Sequence, residues 1–355
     1  MKITWKLAPK PETNELLSSF LVRVAHSHGV GAYHFYSYHL PKTKIWSRDI
    51  DRNVSDGVLN KIVEMSGLPF EVVYGMTLKP FVSRLMSEHN FLKNKNAMAI
   101  SPWISSVGIY HTTRRRFGLQ YCPECLAIDP SFKNLWRLSF VAICPVHRVA
   151  LLDACHCCDS PVAPHRNHIS HLNCHVCQRS LAKGRSLVLE PGAIEKLSLF
   201  CEIFANTSTQ KNPVSIDAAQ LFIGMHILLS ILRKHASHCR NSYLLNDAGN
   251  GPIELLRNHE RAPVIAFLHR LLTEWPIFFR SLALQTGLTQ HHVAHRPMPD
   301  WIQSEMDLLP IGKSIVRKTK NVPLVNQLKS IQRQKPEGWR ATRAALLLKM
   351  AKAKP

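Results

Sequence analysis

The sequence predicts a mainly α fold: a helical N-terminal region with helix-turn-helix units, a central tandem zinc-ribbon domain and a helical C-terminal region. Three observations carry that expectation. Apolar residues recur at helical spacing towards both ends of the chain, a glycine-centred spacing repeats in those regions, and eight of the ten cysteines crowd into residues 111–190. The corresponding limits are 1–110 for an N-terminal helical, partner-binding region, 111–190 for the metal domain, 191–310 for a C-terminal helical domain and 311–355 for a basic tail.

At the N-terminal end, TNELLSSFLVRVAHSHG predicts a helix. Thr13 or Asn14 is placed to cap it, Leu17, Phe20, Leu21 and Val24 share one face, and Gly29 stops it. A short aromatic helix, AYHFYSYHL, follows. SDGVLNKIVEMSG repeats the arrangement from Ser55, with Val58, Ile62 and Met65 on one side, Gly67 as the break and Pro69 early in the next helix. A third version is FFRSLALQTGLTQHHVAHR. The shared spacing runs Ala25, Gly29, Phe35, then Val63, Gly67, Val73, then Ala283, Gly287, Val293. A helix-turn-helix needs a slim residue where helices cross, a glycine at the turn and a hydrophobe returning the second helix to the core. A tight structural hairpin meets the same demands, so both readings stand at this point. Gln290, His291, His292, His295 and Arg296 make the third copy the DNA-reading candidate, whereas Tyr33, Phe35, Tyr36 and Tyr38 make the first a partner-binding surface.

The middle of the chain holds four two-ligand knuckles. Cys122 and Cys125 bracket CPEC, Cys144 and His147 bracket CPVH, Cys155 and Cys158 bracket CHCC, and Cys174 and Cys177 bracket CHVC. A two-residue gap lets both ligands of a knuckle face one ion, and two knuckles complete a tetrahedron. Sequential pairing gives one site of three thiolates and one imidazole, then one of four thiolates; pairing the first knuckle with the third is the alternative. Two structural Zn2+ ions are expected, because the donors fill four positions and leave none for a substrate or activated water. Iron–sulfur ligation uses thiolates too, but a mixed thiolate and imidazole set favours zinc. His156, Cys157, His165, His168, His171 and His175 read as bystanders near the ligands, and Cys201 and Cys239 as ordinary buried thiols. Trp136 and Phe140, four apart, are expected to fill a small ribbon core.

Charge points to a polyanion. Forty-five Lys and Arg against 24 Asp and Glu give a formal +21, and loading seven thiolates with two dications lowers it only to about +18. Arg114, Arg115 and Arg116, beside Phe117 and Tyr121, form a candidate phosphate-contacting patch. From Lys313 onward twelve Lys or Arg, among them Arg317, Lys318, Lys320, Arg340 and Arg343, face the single acid Glu337, so this tail carries +11. Other classes fall away. The opening residues lack a signal-peptide core, and the most apolar run, Leu221 to Leu232, is too short to cross a bilayer. No phosphate-binding glycine loop, dinucleotide fingerprint or nucleophile elbow occurs, and Asp49, Asp51, Asp56, Glu64 and Glu71 have no spacing that selects a two-metal centre. The expectation is a bacterial cytoplasmic, DNA-associated protein that is not an enzyme.

The order Tyr121, CPEC, Leu126, Trp136, Arg137, CPVH, Leu151 or Leu152, then the Cys155 and Cys174 knuckles, closely resembles the TniQ family of transposon target-selection proteins, which includes TnsD. NELLSSFLVRVAHSHG resembles the family's N-terminal helix, and EWPIFFRSLALQTG its helical C-terminal part more loosely. The resemblance implies a non-enzymatic adaptor that recognises a target and recruits an AAA+ ATPase regulator, TnsC-like, which licenses the transposase. It implies that Cys122, Cys125, Cys144, His147, Cys155, Cys158, Cys174 and Cys177 correspond to family zinc ribbons and that Leu16 to Gly29 is available for partner contacts. The target is either DNA read directly or a CRISPR Cascade-type ribonucleoprotein, the latter bound by a homodimer with Tyr33–Tyr38 and Leu221–Leu232 as candidate interfaces. A helix-turn-helix transcription regulator is the more distant alternative.

Overall fold

The computed structural model describes residues 5–85, 101–205, 216–236, 251–293 and 297–312. Residues Met1–Pro310 form one compact unit and Ile311–Pro355 a second, of which only 311 and 312 are described. The basic tail with Arg317, Lys318, Lys320, Arg340 and Arg343, together with His295, Arg296 and Cys239, lies outside the described residues.

The N-terminal region is helical in the order α1 (Leu17–Ser27), α2 (Ala32–His39), α3 (Ile50–Asn53), α4 (Asp56–Ser66), α5 (Phe70–Gly75) and α6 (Lys79–Leu85). Leu17, Phe20, Leu21 and Val24 bury the expected face of α1 against Phe35, Tyr36, Trp46 and Ile62. Its cap differs from expectation. Leu16 occupies the cap position and makes no side-chain cap; instead Asp51, in α3, accepts the Ser18 N–H at 2.7 Å and the Ser18 hydroxyl at 2.8 Å. A carboxylate delivered from a distant helix satisfies the orphan donor that a local Thr or Asn was expected to take.

A β-hairpin of β1 (Ile109–Tyr110) and β2 (Thr113–Arg114) precedes the metal-ligand region, which holds one short helix, α7 (Pro123–Ile128). The C-terminal part contributes α8 (Pro191–Ala205), α9 (Ala218–Ala236), α10 (Asn258–Thr273), α11 (Ile277–Thr286), α12 (Gln290–Val293) and α13 (Asp300–Asp307). The apolar run Leu221–Leu232 sits inside α9 and is core rather than interface: Leu221, Phe222, Met225 and Leu228 are fully buried.

Two cores result. One, from Trp5 to Met76, is built by α1–α5; the other joins Leu16 and α6 to the ligand region and all the C-terminal helices. At its centre Trp103 packs edge-on against Phe140 and Phe222, and its indole N–H donates to the Phe222 carbonyl at 2.9 Å. Phe140 thus belongs to this shared core, not to a small one private to the ligand region. A ribbon sheet is likewise missing among the described residues: beyond the two-residue strands, pairing is confined to isolated bridges such as Tyr121 with Leu152 and Ile143 with Ala150. Three of these bridges, Ile143 with Ala150, Ala154 with Pro161 and Asn173 with Ser180, close directly around a metal-ligand pair, which leaves no length for a ladder.

In all three glycine-centred copies, helices flank a glycine in the left-handed region, Gly29 (φ 71°), Gly67 (φ 71°) and Gly287 (φ 66°), where a Cβ would be strained. Ala25, Phe35, Val73, Ala283 and Val293 are buried as the spacing requires. The second helices have eight, six and four residues.

Candidate metal centres

Three of the four knuckles share one backbone device. Cys144 N–H donates to Val149 O and Arg148 N–H to Cys144 O; Cys155 pairs with Ser160 and Asp159, and Cys174 with Arg179 and Gln178, in the same pattern, all between 2.8 and 3.0 Å. In each, the residue after the second ligand takes a left-handed conformation: Arg148 at φ 55°, Asp159 at 54° and Gln178 at 62°. That tight reversal turns backbone N–H groups towards sulfur, as in His147 N–H to Cys144 Sγ at 3.4 Å and Val176 N–H to Cys174 Sγ at 3.3 Å. The first knuckle differs. Cys122 occupies the cap position of α7, Pro123 opens it and Cys125 lies one turn on.

The knuckles pair sequentially. Cys122, Cys125, Cys144 and His147 converge on one point and Cys155, Cys158, Cys174 and Cys177 on another, with the donor atoms of each set within 4.8 Å of one another. Tetrahedral zinc, with bonds of about 2.3 Å to sulfur and about 2.0–2.1 Å to nitrogen, requires S···S near 3.8 Å and S···N near ~3.6 Å. The first set gives Cys125–Cys144 at 3.5 Å and His147 Nδ1 at 3.5, 3.2 and 3.6 Å from Cys122, Cys125 and Cys144. The second gives Cys155–Cys177 at 3.5 Å and Cys158–Cys174 at 3.6 Å. Both sets therefore fit a four-coordinate ion, with His147 bound through Nδ1. Donation from the Cys122 and Cys125 thiols lowers the Cys144 thiol and raises their own, so the three sulfurs share one negative charge between them. With four protein donors each, the centres organise the chain and offer no coordination position for chemistry on a substrate.

One residue between the knuckles of the second centre and several far away in sequence hold these modules in place. Asn167, buried, donates from Nδ2 to the carbonyls of Asn173 and Cys174 and to Gln178 Oε1, while its Oδ1 accepts from the N–H groups of Ile169 and Ser170. Asn258, at the start of α10, donates to the carbonyls of Ala142 and Leu151, and its own N–H is taken by Asp153 at 2.6 Å. Arg257 forks onto Asp159 and reaches Asp153. Between the two cores, buried Arg137 donates to both Asp49 oxygens at 3.2 and 2.6 Å and to Asp51 at 3.2 Å. Asp49 and Asp51, two residues apart, thus meet around a guanidinium. Burial pushes Asp51 up to about 6, while Arg137 keeps Asp49 below the usual carboxylate range against its own burial. None of these partners is marked by spacing.

The nucleic-acid candidates divide. Arg115 and Arg116 are exposed, whereas Arg114 is turned inward, donating to the Trp46 carbonyl at 3.3 Å beside Asp49 and Asp51. Gln290 is engaged with the end of α13, its Nε2 donating to Asp307 O at 2.8 Å; His291 and His292 are exposed, and His292 caps Thr289. In the aromatic segment, Phe35 and Tyr36 are core, and the Tyr36 hydroxyl donates to Leu21 O, so the surface it offers is Tyr33 and Tyr38. Of the nearby histidines, His165 is buried and stacked on Trp46, and none joins a ligand set.

A helical protein organised by two closed four-donor centres is the class these observations define. The TniQ family model matches residues 6–151, a span that covers the first core and the first metal centre. No curated protein matches the chain. No helix among the described residues is long and apolar enough to cross a membrane.

Proposed function

We propose that this protein is a non-enzymatic adaptor of DNA transposition, which binds target DNA and recruits an AAA+ ATPase regulator of the TnsC type. The observation that carries the reading is the TniQ match over residues 6–151 in a chain whose metal-ligand sets are both complete and closed. Such sites supply shape rather than reactivity, as an adaptor requires. The +21 charge supports contact with DNA. Tyr33 and Tyr38, exposed on α2, are the residues of the aromatic segment available to a protein partner.

The test is capture of a TnsC-type AAA+ ATPase by this protein, with and without target duplex, at low salt. Retention of the ATPase by the tagged chain, strengthened by duplex, is the expected result. Absence of any association in both conditions would falsify the adaptor reading.

A further inference from the structure

Three loops that are distant in sequence meet beside the junction of the two cores. The His165 ring stacks on Trp46 at 5.0 Å with planes 13° apart, His165 Nε2 lies 3.0 Å from Thr112 O, and Arg114 donates to Trp46 O. Segment 42–48, the β1–β2 hairpin and segment 164–166 are thereby pinned together. From them project Lys42, Lys44, Arg48, Arg115, Arg116 and Arg166, all exposed. None of these six forms an ion pair among the described residues. The carboxylates nearest to hand, Asp49 and Asp51, point inward and are held by Arg137. The heads are also partly fixed. Arg115 lies over the Tyr110 ring at 3.7 Å, and the Arg116 stem crosses Gly108 so closely that a Cβ there would come within 2.5 Å of it. Lys42, Lys44 and His111 adopt left-handed backbone (φ 68°, 47° and 52°), which non-glycine residues hold only where the surroundings impose it.

Six unneutralised cations on a rigid base call for a polyanion, and the rings decide which kind. Trp46 and His165 are buried face to face, and half-exposed Tyr110 has one ring face taken by Arg115 and His111 set edge-on to it, so little stacking surface is left for unstacked bases. The three segments hold only three-residue helical turns, at Ile45–Ser47 and Pro164–Arg166, and strands two residues long, none of them long enough to enter a groove. The geometry points to a clamp for the phosphate backbone of duplex DNA, neutral to sequence, built from Lys42, Lys44, Arg48, Arg115, Arg116 and Arg166. This deepens the proposed adaptor function and rests on its DNA-binding part. It assigns the clamp to the first core and the metal region, separate from the tail.

Two triple variants of the full chain test it: Lys42→Gln with Lys44→Gln and Arg48→Gln, and Arg115→Gln with Arg116→Gln and Arg166→Gln. Binding of two unrelated duplexes of about 30 base pairs is measured across a salt series, with metal content and melting temperature confirming the fold. Each triple is expected to weaken both duplexes equally and to lower the slope of log K against log salt by up to about 2.7, roughly 0.9 per lost phosphate contact. Unchanged affinity and slope in both triples, a loss confined to one duplex, or tighter binding of single-stranded DNA or RNA than of duplex would overturn the clamp. If the triples lose duplex binding while ATPase capture fails, the adaptor reading falls and the clamp stands. If capture succeeds and the triples bind duplex normally, the clamp alone falls.

Discussion

Arg137 shows how one residue joins the two cores. Its guanidinium is buried with Asp49 and Asp51, and Asp51 in turn caps α1. Truncation would leave two buried carboxylates uncompensated, so Arg137→Ala should lower unfolding stability by about 3–5 kcal/mol in denaturant titrations. Arg137→Lys should restore little, since a single ammonium cannot reproduce the fork onto both Asp49 oxygens. A loss under about 1 kcal/mol would show that the cluster is solvated and not structural. His165 makes a pH prediction. Burial first, then the positive charge of Arg114, holds its imidazole well below the ordinary value of 6.5, with Arg166 and His175 adding to the effect. Below pH ~6.5 the unfolded chain binds a proton that the folded chain refuses, so this stability is present at neutral pH and lost on acidification. Melting temperature should fall between pH 7.5 and pH 6, and His165→Phe, which keeps a ring against Trp46, should flatten that slope. An identical slope in the variant would remove His165 from the account.

At the scale of elements, the knuckles were legible in the sequence and their surroundings were not. A two-residue gap forces both donors of a pair to one side of a tight turn, so Cys155 with Cys158 could be recognised from spacing alone. The same locality made the α1, α4 and α11 stops at Gly29, Gly67 and Gly287 readable. By contrast, the α1 cap comes from Asp51, 33 residues away, and the Asn258 anchor spans more than a hundred residues; such contacts leave no periodic trace. Burial defeated two readings for a related reason. Tyr36 and the Leu221–Leu232 run have the composition of an interface, but composition does not say which neighbour covers a hydrophobic face. Buried and outlying ligands should respond differently to mutation. Each centre puts two cysteines into the main core, Cys122 and Cys144 in the first and Cys155 and Cys174 in the second, whereas Cys158 is exposed and Cys177 half-buried. Cys122→Ser should therefore remove one ion and disorder the shared core, seen as loss of cooperative melting and solubility. Cys177→Ser should remove one ion with a milder loss. Equal effects would mean that the burial of a ligand does not set its contribution to the core.

For the whole molecule, the charge balance was legible at once, because net charge needs no fold to be counted. Its distribution was not: of the three consecutive arginines Arg114–Arg116, one turns inward and two outward, a division that follows from the hairpin and the Trp46 carbonyl. Removal of residues 313–355, with their +11 share of charge, should flatten the salt dependence of DNA binding while both metal ions stay bound. An unchanged slope would assign binding to the remainder of the chain alone. Within the first 310 residues, two complete four-donor centres organise the ligand region of the main core. The most direct test is the intact mass and elemental content of the purified full chain under native conditions. The expected result is two zinc ions per protomer, falling to one in Cys122→Ser and to one in Cys174→Ser. A content of one ion in the unmodified chain, or loss of both ions on a single substitution, would contradict the independent, sequentially paired centres described here.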